Sequence, residues 1–340
     1  MLFSHATSAC AEEAVHDLLL KAMKADKDTL ALLHRQAEAD DPYSEYILGE
    51  VARMEAQDWE GEANVQERWG VGAIHKNNPS PIRSIICGDA NKNATLYEQA
   101  EHDDLASKRS LAEACKSEEE QWYGRALKRL STQADAGDAK AQYHLAKMYV
   151  EGRGVSPDRS LFIKWLQASA NGEYPEAEKD LASMHAYSNG SDVPIDLDKA
   201  ENLYLKAANQ GLVEAARDLG EFYSNRKQDS AKSAMWYRNA AERGDGYSFR
   251  ALGYIYAKGA GMPQSWGESY FWGCLAMHCF DGKTHGGTPR NVWASDGPAW
   301  VNSDPLEGEM HLTKDEISAI QRRAEQWKPV TTTIPVQPSP

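Results

Sequence analysis

One helix-turn-helix pattern recurs four times within residues 134–279, and this repetition constrains the fold more than any other feature of the chain. Each copy contains a leucine, at Leu145, Leu181, Leu219 or Leu252. A small residue stands four positions before each leucine, and an aromatic or histidine ring stands four positions after it. This spacing places the three side chains on one face of a helix, which must therefore pack against another helix.

A second helix follows in each copy, and a short turn joins the two helices. In the first copy the turn contains Gly152, Gly154, Pro157 and Asp158. Glycine suits the left-handed residue that ends a helix, proline cannot continue the helix, and aspartate caps the first amides of the next one. The turn of the third copy, residues 224–229, lacks both glycines and the proline, which leaves its local geometry open.

The repeated motifs, G-x3-A-x3-L-x3-Y, then G-x-G-V-x-x-D, then W-x-x-A, resemble the Sel-one-like repeat (SLR) family, which is related to the tetratricopeptide solenoids. This resemblance implies an all-α, right-handed superhelical solenoid of stacked repeats, here with two irregular loop insertions. It also implies a non-enzymatic bacterial scaffold that binds a protein. Several SLR proteins look like immunity proteins against phospholipases of the type VI secretion system, so neutralisation of such a toxin is the most specific expectation.

Two other classes of function remain open. A regulatory SLR adaptor in an envelope or signalling pathway would bind several partners through smaller interfaces. A metal-dependent enzyme would use Cys274, His278 and His285, because the first two share a helical face and the third follows in a loop. Their spacing matches no common zinc pattern, and buried thiols with a loop histidine explain the same residues. We therefore predict no catalytic residue, metal or cofactor.

The segments outside the clear repeats have distinct patterns. Separate helices are expected for 96–115 and about 118–134. The Thr313 and Glu316 pair has the sequence of a capping box. The predicted segments are 1–57, N-terminal helices and a degenerate repeat; 58–95, an irregular insertion; 96–280, the solenoid; 281–312, a long loop; 313–328, a capping helix; and 329–340, an extended tail.

The chain is acidic, with 37 Lys and Arg against 51 Asp and Glu and a formal charge of -14. This balance disfavours nucleic acid and favours a basic protein partner, although acidity also aids solubility. No apolar run is long enough to span a membrane, and residues 1–10 do not have the pattern of a secretory signal. A cytoplasmic location is expected, or a periplasmic one if a signal peptide has been removed. The five cysteines leave disulfide pairing and redox compartment open.

The predicted partner surface combines helix residues that point away from the core stripe with loop tryptophans. In solenoids of this kind the first helix of each repeat usually lines the concave groove, while solvated helix surface is the competing interpretation. The candidates are His144, Lys147, Asp180, Asp218, Glu221, Tyr254, Trp69, Trp293 and Trp300.

Overall fold

A computed structural model describes residues 27–69, 100, 105–188, 192–280 and 311–330 of the chain. Within these residues the regular secondary structure is helical throughout, with no β-strand. The chain divides into two compact units, residues 1–172 and 173–340. In both units, helices that follow one another in the sequence pack together. The predicted all-α class of paired helices is confirmed.

The described helices of the first unit are α1 (Lys27–Glu38), α2 (Pro42–Trp69), α3 (Leu105–Asp135), α4 (Ala139–Glu151) and α5 (Arg159–Asn171). Those of the second unit are α6 (Pro175–Tyr187), α7 (Leu197–Asn209), α8 (Val213–Phe222), α9 (Ser230–Glu242), α10 (Gly246–Lys258), α11 (Trp266–Phe280) and α12 (Lys314–Gln326). A π-helical turn, Tyr223–Lys227, extends α8. The repeats are thus α4 with α5, α6 with α7, α8 with α9, and α10 with α11.

Local side chains explain where the repeat helices begin and end. Gly152 ends α4 at φ 74°, and Gly259 ends α10 at φ 67°, in the left-handed region that glycine tolerates best. At the other end of the helices, aspartate carboxylates accept a hydrogen bond from the amide three residues later, as expected for caps. These aspartates are Asp138, Asp158, Asp196, Asp229 and Asp245.

The aligned leucines form the interior of the repeats, and all four are buried. Leu145 packs in the first unit against Tyr123 of α3. Leu252 packs in the second unit within an aromatic cluster that includes Trp272. Helix α12 begins at a complete capping box and contributes Ala324 to the same cluster. The helical face predicted from the leucine spacing is therefore the face that packs.

Two segments differ from the sequence prediction because tertiary packing prolongs helices. Helix α2 continues to Trp69, into the segment expected to be irregular, and buries Trp59 on the way. Helix α3 is continuous from Leu105 to Asp135, where two helices were expected. Neither proline nor glycine interrupts the expected break near residues 116–117, and α3 packs extensively on α2. The prediction of separate helices was wrong.

The third repeat has a different turn from the first and fourth. Its first helix passes directly into the π-helical turn, and Gln228 then adopts φ 55°, although it is not a glycine. The chain reverses direction before Asp229 caps α9. The missing glycines therefore changed the conformation of the turn while the second helix of the repeat was retained.

Candidate functional site

The first unit buries one of the predicted surface residues. His144 lies beside the rings of Tyr43 and Tyr46, with centroids 5.1 and 5.6 Å away, and only 7% of it is exposed. Burial, assisted by nearby lysines, lowers the pKa of His144 to about 3, so it is neutral at physiological pH. Its assignment to a solvent-facing surface is wrong, because α2 covers this side of α4. Lys147 is partly exposed and pairs with Glu151 at 3.2 Å.

The second unit brings three of the predicted acidic residues close enough to influence one another. Lys179 lies 3.0 Å from Asp180, and Arg217 lies 3.2 Å from Asp218. Burial raises the pKa of Asp218. The charges of Arg217 and Lys179 oppose that rise, and the charge of Asp180 adds to it. Asp218 in turn helps to raise the pKa of Glu221. The three carboxylates therefore form one electrostatically coupled group on α6 and α8.

Glu221 differs from the other two carboxylates in its partners. Its pKa is raised, first by burial and then by Asp218. The Tyr247 side chain forms a hydrogen bond with it, and the Asn225 amide donates to it at 3.4 Å. Among the described residues, no cation lies within ion-pair distance of Glu221. Arg217, one helical turn earlier on α8, lowers the pKa of Glu221 through its charge but does not form an ion pair with it. The carboxylate is partly desolvated and its two hydrogen-bond donors are neutral, so it would gain from a direct ion pair.

Tyrosines surround these carboxylates. Tyr187 is 43% exposed, and the guanidinium of Arg226 lies 5.8 Å from its ring centroid. Burial raises the pKa of Tyr187 and of Tyr247, and the charge of Glu221 raises both further. The acidic face is defined here as Asp180, Asp218, Glu221, Tyr187 and Tyr247. It offers negative charge beside aromatic rings, a combination suited to lysine or arginine side chains.

A small cavity lies near the acidic face, and the predicted residue Tyr254 lines it. Its volume is about 60 Å³, and it opens to solvent. On α10, Tyr247 and Tyr254 are seven residues apart, so they share a helical face and lie about 10 Å apart along the axis. The Tyr254 cavity is lined by Ser224, Ser230, Ser233, Tyr237, Ala251, Tyr254, Ile255 and Ala260.

Several predicted positions lie outside the described residues. These are Trp293, Trp300 and His285, together with the side chains of Trp69 and His278. Cys274 is buried in the aromatic core cluster of the second unit. No group of metal-ligand side chains occurs among the residues that the structure describes. None of the described helices is long and apolar enough to cross a membrane.

Sequence reasoning missed Tyr187, Tyr247 and Arg217, because it considered only the positions next to each core leucine. Tyr247 lies five residues before Leu252, close to the beginning of α10, and it reaches Glu221 on the preceding repeat. The available signal was that α8 and α10 are the first helices of successive repeats, so that a residue of one can reach a residue of the other.

Comparison with known proteins agrees with the repeat pattern. The family described as Sel1 repeat matches residues 139–174, 175–212, 213–245 and 250–276. The chain carries four Sel1 repeats. Sel1 repeats mediate protein–protein interactions. The predicted SLR resemblance is confirmed.

Curated relatives match through a limited segment. DAP3-binding cell death enhancer 1 of Rattus norvegicus and of Mus musculus are each 30% identical to this chain over 137 residues. The alignment covers 40% of this chain and 27% of either relative. The chain thus matches about a quarter of the length of these relatives.

Solved structures that resemble the chain include three bacterial proteins. A Sel1 repeat protein from Oxalobacter formigenes is 20% identical, with 75% of this chain and 80% of that one covered and a TM-score of 0.42. The protective antigen c5321 of uropathogenic Escherichia coli, with an SLR fold, is 14% identical, with coverage of 93% and 84% and a TM-score of 0.36. The immunity protein Pa5087 of Pseudomonas aeruginosa is 18% identical, with coverage of 64% and 81% and a TM-score of 0.34.

Proposed function

We propose that this Sel1-repeat scaffold is non-enzymatic and uses the acidic face of its second unit to bind a basic segment of a partner protein. The observation that carries the proposal is the environment of Glu221. Burial and Asp218 raise the pKa of its carboxyl, the charge of Arg217 opposes that rise, and no cation of the described residues lies within ion-pair distance of it. A lysine or arginine from a partner would supply the missing charge.

The energetic effect of such a contact depends on how far water is excluded. Exposed ion pairs typically contribute about 0–1 kcal/mol, whereas hydrogen bonds to charged groups contribute about 1.5–3 kcal/mol. Glu221 is already partly withdrawn from solvent, so a partner cation that covers it would act toward the higher end of this range. Lys147, on the first unit, is retained as a secondary candidate contact, because it is partly exposed.

The specific form that we propose is an immunity protein that binds and neutralises a secreted antibacterial phospholipase. The net charge of -14 and the SLR resemblance support this choice. The scaffold would act by covering the active site of the toxin or the surface with which the toxin docks on a membrane. Trp69, Trp293 and Trp300 are retained as proposed aromatic anchors for the same partner.

Size-exclusion chromatography of the full chain with the product of its neighbouring gene tests the proposal. Stable co-elution together with loss of that product's lipase activity is the expected result. Co-elution without inhibition would replace the immunity proposal with a regulatory adaptor, and the absence of a complex would contradict binding of this partner.

Charge reversal locates the interface. Glu221→Lys should weaken the complex at least about tenfold in Kd, since it replaces an attraction by a repulsion. Glu325→Lys, at an exposed position of α12, is the matched control and should leave the Kd unchanged. Equal affinities for both variants and the parent chain would place the interface elsewhere.

A further inference from the structure

We infer that the bound segment has two anchors, a basic side chain that pairs with Glu221 and an apolar side chain that enters the Tyr254 cavity. This inference rests on the proposed function and specifies the partner that the second unit selects. The two positions are close, because Ser224 of the cavity wall follows Glu221 by three residues and α10 contributes to both, so one short stretch of chain reaches both.

The separation of the two anchors follows from the helix register. Glu221 precedes Ser224 of the cavity wall by three residues, and Tyr247 precedes Tyr254 by seven. At about 1.5 Å per helical residue, the two positions are therefore separated by about 5–10 Å along the helix axes. An extended peptide advances about 3.3 Å per residue, so the apolar residue should lie about two to four positions from the basic one.

The interior of the Tyr254 cavity suits an apolar group. Ala251, Ile255 and Tyr237 are buried and line its wall. The Ser233 hydroxyl, which also lines the cavity, already donates to the Gly220 carbonyl at 2.8 Å. A leucine, isoleucine or methionine side chain would gain by leaving water, whereas a charged side chain would lose its hydration there.

The position of the cavity also favours a binding role. Ser224, in its wall, belongs to the π-helical turn that replaces the glycine-rich turn of the other repeats. The turn of the fourth repeat packs against the beginning of α9, since a Cβ added to Gly261 would clash with the Ser230 carbonyl oxygen. Single π-helical turns often occur at functional sites. The repeat that departs from the pattern is thus the one beside both anchors.

Selection from a random twelve-residue peptide library displayed on phage, with the full chain immobilised, tests the inference. Enriched peptides should contain Lys or Arg with an aliphatic residue two to four positions away. Selection on Glu221→Lys should lose the basic residue, and selection on Ser224→Phe, which fills the cavity, should lose the aliphatic one. Enrichment of an unrelated motif, or of none, would overturn the inference.

The affinity of one enriched peptide for each variant measures these effects quantitatively. Glu221→Lys and Ser224→Phe should each raise its Kd by about tenfold or more. Glu325→Lys and Ser318→Phe, both at exposed positions of α12, are the matched controls and should stay within about twofold. If Ser224→Phe loses the helical signal in circular dichroism, Tyr254→Ala replaces it and should shift the selected aliphatic residue toward larger side chains.

The same variants separate this inference from the proposed function. Loss of the partner complex in Glu221→Lys but not in Ser224→Phe would refute the apolar anchor and leave the acidic face as the interface. Retention of the complex in both variants would refute both the inference and the proposed interface. Loss in both, with both controls intact, is the expected result.

Discussion

Glu50 in the first unit and Glu221 in the second are both carboxylates withdrawn from solvent, yet their surroundings differ. Glu50 accepts a hydrogen bond from the Tyr123 hydroxyl at 2.5 Å and pairs with Arg53 at 2.7 Å and Arg153 at 2.9 Å. For Glu221, no such cation is found among the described residues. The charge of Glu50 is therefore balanced by direct ion pairs within the first unit, whereas Glu221 has only the more distant charge of Arg217.

The turns of the two repeats explain this difference. Arg153 lies between the two glycines of the first turn, and Gly154, at φ 64°, fits so closely that an added Cβ would be 2.8 Å from the Tyr123 Cβ. This close packing brings the guanidinium to Glu50. The third repeat has the π-helical turn instead, with no glycine at which the chain could approach so closely. Lys227, a cation of this turn, pairs instead with Asp198 at 2.8 Å and Glu201 at 3.1 Å on α7, and not with Glu221.

Removal of the Glu50 carboxylate should have the largest effect on stability. Glu50→Ala leaves Arg53 with the Gln57 amide oxygen and Arg153 with Glu151, at 3.3 Å, and we expect a loss of about 3 kcal/mol in the free energy of unfolding. Urea unfolding followed by circular dichroism measures this loss. Glu221→Ala is the comparison and should cost less than about 0.5 kcal/mol, because it removes an unfavourably buried charge. Similar losses for the two variants would remove the distinction between a structural and a binding carboxylate.

A methyl group in the first turn should have the next largest effect. Gly154→Ala places a Cβ against Tyr123 at a positive φ, and we expect it to cost about 2 kcal/mol and to displace Arg153 from Glu50. Gly124→Ala is the matched control, since nothing lies within 4 Å of its added Cβ within α3. The control should gain about 1 kcal/mol from helix propensity. Thermal unfolding of both variants measures these changes in stability. An unchanged stability of Gly154→Ala would contradict this account.

A buried carboxylate of the second unit predicts how stability depends on pH. Glu178 is buried and accepts a hydrogen bond from the Gln210 amide at 2.7 Å. Burial raises its pKa to about 7, against an ordinary value of 4.5. Between these two values the folded state binds more protons than the unfolded state, so stability falls as the pH rises through this window.

Glu178→Gln should remove this dependence while keeping the shape of the side chain. Relative to the parent chain, we expect the variant to gain on the order of 1 kcal/mol between pH 5 and pH 8. Urea unfolding at the two pH values measures the difference. Asp192→Asn, at an exposed position, is the control for a general effect of charge. Parallel pH profiles for Glu178→Gln and the parent chain would contradict a raised pKa.

The features that the sequence predicted correctly are local. The leucine spacing and the Asp158 and Asp196 caps depend on residues within a few positions of each other, and all are found in the structure. The burial of His144 could not be predicted in this way, because it depends on α2, which is distant in the sequence. The coupling of Glu221 to Tyr247 required knowledge of which helices are adjacent. Only its position on the outward side of α8 followed from the periodicity.

The turn of the third repeat lies between these two cases, since the absent glycines predicted a departure without specifying its form. Gln228 ends the π-helical turn at φ 55°, a conformation that costs a non-glycine residue about 1 kcal/mol. Gln228→Gly should therefore stabilise the second unit by about 0.5 kcal/mol, because the greater freedom of glycine in the unfolded chain offsets part of the gain. Gln228→Ala keeps the strain and is the control in thermal unfolding. If Gln228→Gly and Gln228→Ala unfolded at the same temperature, strain at Gln228 would not affect the stability of the turn. The conformation of the Tyr254 cavity wall would then need another cause.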